Sequence, residues 1–193
     1  MQIVQRNAAF DLPREKLKHY FSRGDLFFSR DSHLCFVCGS AGDTNPETGD
    51  RSLRATFIDH VAQRDNSKIV CVRAETAAME LLRQIDERGK NISVFEKTIA
   101  ETVDSVLIFP ESPGSFAELG YFSAHDAIAR KTLVAVRAEH QVNSFITLGP
   151  IHAISKLSVF SPVPIVLATQ PNDQMSQLVE RLIGDSVNKR AYR

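Results

Sequence analysis

"FPESPGSFAELGYFSAHDAIARKTLVAV", residues 109–136, decides the fold. It reads as the end of an apolar strand, a turn of Ser, Pro and Gly, an amphipathic helix and a second strand. That order is a parallel βαβ unit. Outward from it the alternation continues. Short apolar or β-branched runs occur at 34–39 (LCFVCG), 68–72 (KIVCV), 105–110 (SVLIFP), 132–136 (TLVAV) and 164–168 (PIVLA). Helical stretches fall at 51–64, 76–89, 95–103, 115–130 and 173–184. Strands with nearly continuous apolar character are those covered by helices on both faces. The expected fold is α/β, a Rossmann-like parallel sheet of about five strands with helices on both faces.

The sequence divides into an α/β domain at 34–193 and a basic, helical appendage at 1–33. The appendage carries Arg6, Arg14, Lys16, Lys18, Arg23 and Arg30, with Phe10, Tyr20, Phe21, Phe27 and Phe28 interleaved. It reads either as a solvated helix laying aromatics on the sheet edge or as a docking surface for a protein or nucleic acid. The tail, NKRAYR, is basic again.

Across 193 residues, Lys plus Arg and Asp plus Glu are 23 each, so no overall charge excess argues for a nucleic-acid or membrane surface. The first residues lack the apolar centre of a secretion signal, and no 18-residue apolar run occurs. A soluble, cytoplasmic protein with no membrane association is expected. Cys35 and Cys38 have C-x-x-C spacing but lie in an apolar strand, where side chains three apart point to opposite faces. Buried packing is the expectation for them. The six histidines show no ligand spacing, so no metal is expected.

Ligands of open parallel sheets bind beyond the carboxyl ends of the strands. The first such loop, GSAGDTNPETGDRS at 39–52, opens at Gly39 and has neither a dinucleotide fingerprint nor a P-loop. Arg51 or Arg54 after it could face an anion, or be an ordinary first-turn residue. Glu75 follows the second strand, where a carboxylate could take ribose hydroxyls. The third strand leads into Glu111, Ser112, Pro113, Gly114 and Ser115, a turn whose following helix start would favour a phosphate.

Glu118 has two readings. Ser115-Phe116-Ala117-Glu118 matches S-x-x-E, a capping box with Ser115 as the cap. Alternatively Glu118 is a reactive carboxylate. Ala117, Gly120, Ala124 and Ile128 form a small stripe suited to the sheet, which would turn the face of Ser115, Glu118, Phe122 and His125 toward the loop cleft.

Residues 104–136 resemble the segment of nucleoside deoxyribosyltransferase-like proteins in which an acid–Gly–Ser/Thr turn precedes a helix carrying a glutamate nucleophile. From LCFVCG through SLRATFIDH, the AE at 74–75, FEKTIAETVDSVLIFPESPGSFAELGYFS and the later GPI, the chain is similar to small toxin effectors encoded beside retron reverse transcriptases. The generic transferase motif has Asp-x-Gly-Thr; here the acid is Glu111, its spacing to Gly114 is longer, and Ser115 stands for Thr. The turn is also similar to the P-G-G-x-G-T-x-x-E loop of phosphoribohydrolases, without its further glycines.

The resemblance implies an N-glycosidase acting on NAD or a related nucleotide, with Glu118 as nucleophile and a toxic role in phage defence. Gly39, Arg54, Glu75, Glu111, Ser112, Gly114 and Ser115 are the implied substrate contacts. It implies no separate cofactor, since NAD would be substrate. It also implies restraint by the retron reverse transcriptase and its DNA–RNA product, placed on residues 1–33, and a homo-oligomer. A nucleotide-sensing module without turnover and a nucleoside monophosphate phosphoribohydrolase remain the alternatives.

Overall fold

The structure, a computed structural model, describes residues 32–40, 42, 44, 49–64, 68–74, 92–138, 144–167 and 172–190; for 92, 172 and 185–190 it describes the backbone alone. The expected appendage through residue 31, the helix expected at 76–89, and Glu75 lie outside the described residues.

Five parallel strands form one sheet: β1 (His33–Cys38), β2 (Ile69–Val72), β3 (Ser105–Ile108), β4 (Thr132–Arg137) and β5 (Ile165–Leu167), in the order β2-β1-β3-β4-β5. The helices are α1 (Leu53–Ala62), α2 (Ile92–Thr102), α3 (Pro113–Ser123), α4 (Asp126–Ala129), α5 (His152–Leu157) and α6 (Asn172–Arg190). All six residues of β1 and all six of β4 are buried, as strands between two helical layers must be.

Register assigns the faces. Phe36 pairs with Val106, and Cys38 with Ile108, so these four side chains share one face. Phe36 meets Phe122 of α3 there, ring centroids 6.1 Å apart. On the other face Phe57 of α1 meets Phe109 at 6.0 Å, and α6 packs beside α1. Cys35 and Cys38 thus point to opposite faces, both buried and free. Burial, the largest cause, pushes the Cys35 thiol up to about 12.

Two expectations for the helices are corrected. The stretch expected as one helix at 115–130 is two, because α3 ends at Ser123 and α4 starts anew at Asp126. The stripe expected to face the sheet is split, with Ile128 buried and Gly120 half-buried but both alanines outside. Ala117 and Ala124 are exposed, and Leu119, Phe122 and Ser115 are the buried residues. Burial of a Leu and a Phe outweighs the closer approach that alanines would allow. A further helical segment, unanticipated in the sequence, precedes α5: a π-helical turn at Thr147–Ile151 that contains Pro150. Gly149-Pro150 reads locally as a helix breaker, yet a π turn absorbs the proline's missing N–H.

Candidate functional site

The chain leaves β1 toward β2 on one side and enters β3 on the other, so the order β2-β1-β3-β4-β5 reverses direction between β1 and β3. That boundary is where ligands bind in such sheets. It is formed by Cys38, Gly39 and Ser40 after β1 and by Phe109, Pro110 and Glu111 after β3.

Glu111 is 3% exposed and its carboxylate is fully engaged. Oε2 accepts from the Leu53 N–H at 2.8 Å; Oε1 accepts from the Arg54 N–H at 3.2 Å and the Ser40 N–H at 3.3 Å. Leu53 and Arg54 open α1, and Ser52 Oγ takes the third N–H, from Ala55, at 3.1 Å. The start of α1 therefore holds a carboxylate of its own, the placement its dipole favours. Glu111 ties together β1, β3 and α1 at the boundary.

Gly39 is a packing residue. A Cβ there would meet Arg54 Cβ at 2.7 Å and Glu111 Oε1 at 3.1 Å. Gly39→Ala is expected to push α1 away and lower stability by roughly 1–3 kcal/mol, read by urea denaturation. Arg54 is buried beside it at 6% exposure. Arg51 is exposed and ion-paired with Asp59, an ordinary surface arrangement.

The turn after β3 corrects the capping expectation. The cap of α3 is Ser112, with Pro113 at the first helical position and Ser115 at the third. The Ser115 N–H donates to Ser112 Oγ at 3.3 Å, and Ser115 Oγ accepts from the Ser112 N–H at 2.9 Å and the Glu111 N–H at 3.0 Å. Ser112 and Ser115 are thereby committed to the turn itself. Glu118 lies one turn further on and has no part in the cap. Ser112→Ala should cost about 1 kcal/mol of stability.

Gly114 is exposed, and a Cβ would find nothing nearer than Ser112 Oγ at 4.0 Å. Of the N–H groups in this first turn, only that of Gly114 is left for a ligand, since Pro113 has none. Gly114→Ala should keep or raise stability, by up to about 1 kcal/mol. Weaker ligand binding in such a stable variant would show that the ligand approaches this backbone.

Glu118 is on the sheet side of α3, where its Oε2 is shut off from solvent. It shares a hydrogen bond with the Cys38 thiol at the end of β1. Burial first, and then the carboxylates of Glu118 and Glu96, hold that thiol well above its ordinary range. Glu96, from α2, was not singled out in the sequence; its helix position reads there as a solvated surface. The structure thus brings Gly39, Arg54, Glu111, Ser112, Gly114, Ser115 and Glu118 to one edge of the sheet. Among the described residues no group of three or more His, Cys, Asp or Glu could hold a metal ion. No helix among them is long and apolar enough to cross a membrane.

The STM3845 retron effector protein family matches residues 50–192. The chain belongs to this family. Among curated proteins, this retron effector is 42% identical over 64 residues to a protein of retron Ec86 from Escherichia coli, a match covering 33% of this chain and 21% of that one. It is 31% identical over 125 residues to a protein of retron Ec73 from the same species, covering 64% and 38%. The names of both give ribosyltransferase/DNA-binding protein as a provisional description. The matches span less than two-fifths of the length of either relative.

Proposed function

We propose that this retron effector is an N-glycosidase that breaks the C1′–N bond of NAD or a related nucleotide, with Glu118 as the nucleophile. The observation that carries the reading is the place of Glu118. It has no capping duty, one oxygen is closed off from water, and it lies at the β1–β3 boundary where a ligand would bind. The ribosyltransferase in the relatives' names supports the same class of bond.

In this mechanism the Glu118 carboxylate attacks C1′ and the base leaves with the bonding pair. From NAD the leaving nicotinamide is neutral and needs no proton. Water then attacks C1′ of the glycosyl ester, gives up a proton and returns the carboxylate. Glu96, whose carboxylate also acts on the Cys38 thiol, would accept that proton. Glu111, Gly39, Ser112 and Ser115 hold the shape of the site, and Gly114 and Arg54 would contact an anion. A nucleoside deoxyribosyltransferase-like pocket and a toxic outcome for the host belong to the same proposal.

The test is release of free base from a panel of NAD and nucleoside monophosphates by the purified chain. Nicotinamide from NAD is the expected product. Saturable binding without product would favour a sensor, and release from monophosphates alone a phosphoribohydrolase. Restraint by the reverse transcriptase and its DNA–RNA product is proposed to use residues 1–33. Deleting residues 1–28 should weaken that assembly while leaving base release intact, and full assembly of the truncated chain would refute this placement.

A further inference from the structure

β4 ends on a charged residue that its packing does not require. Thr132–Arg137 is TLVAVR, five uncharged residues and then an arginine only 8% exposed. Its Nε is shut off from solvent and has no hydrogen-bond acceptor among the described residues. Withdrawing a guanidinium N–H from water without an acceptor is unfavourable. A strand end that keeps such an N–H among the described residues is a candidate to receive an acceptor from a ligand.

Its position suits a ligand at the β1–β3 boundary. Ile108, the last residue of β3, pairs with Val134, so Arg137 lies three residues further on, at the carboxyl end of the sheet. Alternation puts Arg137 on the α1 side, the side of Leu107 and Leu133. Adjacent strands lie about 4.8 Å apart, so β4, which carries Arg137, runs one strand spacing from β3, the strand that leads into the boundary. The helix starts nearby have little left for a phosphate. That of α1 is filled by Glu111 and Ser52, and that of α3 retains only the Gly114 N–H.

We propose that Arg137 is the principal anion-binding group of this site, taking a phosphate oxygen of a nucleotide whose sugar lies over the β1–β3 boundary. The inference rests on the nucleotide reading above and adds to it the group that holds the phosphate. A guanidinium fork matches phosphate oxygens in pairs, which a lysine ammonium cannot do.

Titration calorimetry on the full chain tests it with pyrophosphate, AMP and adenosine, in the Glu118→Gln background so that nothing turns over. Pyrophosphate and AMP should bind, and Arg137→Gln should weaken both by about tenfold to a hundredfold while leaving adenosine unchanged. Arg137→Lys should fall between, and it carries the test if Arg137→Gln folds poorly. Equal AMP and pyrophosphate affinity in wild type and both variants overturns the proposal, as does failure of either ligand to bind. A lowered melting temperature with unchanged affinities assigns Arg137 to structure and also overturns it. Phosphate binding that depends on Arg137, in a protein whose wild type releases no base, would retain this subsite and remove the glycosidase. Base release with AMP affinity indifferent to Arg137 would do the reverse.

Discussion

Glu118→Gln should give a folded protein that no longer releases base. The substitution keeps the shape of the side chain and an acceptor oxygen for the Cys38 thiol, but removes the anion that attacks C1′. Covalent catalysis lost in this way lowers the rate by about a thousandfold or more. Stability should hold. The α3 cap is the work of Ser112 and Ser115, so losing the charge at position 118 leaves every hydrogen bond of that cap in place. With Glu96 acting on the same thiol, neutralising one of two like charges should relieve repulsion. The thermal midpoint should lie within about 2 °C of wild type or above it. Ser112→Ala is the converse control, weaker in its cap but still carrying the carboxylate. A Glu118→Gln protein with near-normal base release would end the proposed mechanism.

The strands were legible because each is a short, nearly unbroken apolar run, and β-sheet burial on both faces leaves that mark directly in the sequence. Ser115-Phe-Ala-Glu118 has the pattern of a capping box, but proline favours the first helical position, and Pro113 therefore sets the cap at Ser112. The small stripe misled because it weighed close packing above the burial of Leu119 and Phe122, which turned α3 about its axis. Arg137 carries no local signal, since the apolar run of β4 stops at Val136 and the arginine after it looks like the first residue of a loop. Glu111 could be read as an acid in a loop, but its partners Leu53 and Arg54 lie 58 and 57 residues earlier in the chain. No local pattern records a contact of that span.

That contact also yields the largest expected loss of stability. Glu111→Ala removes the acceptor for three backbone N–H groups at once, those of Leu53, Arg54 and Ser40. A buried donor left without a partner costs roughly 1–3 kcal/mol, and the three are neighbours, so their costs do not simply add. The expected loss is about 3–5 kcal/mol, a large part of the 5–15 kcal/mol typical of a domain. It should appear in urea denaturation as a lower midpoint with an unchanged slope. Glu111→Gln keeps one carbonyl oxygen but sets an amide N–H₂ where the second acceptor stood, so it should recover only part of the loss. Base release should fall in both variants in step with the folded fraction where the side chain's work is to hold the loop after β1 against α1. Full stability combined with lost base release would instead make Glu111 a substrate contact, and the anchoring of α1 would then have to come from Ser52 alone.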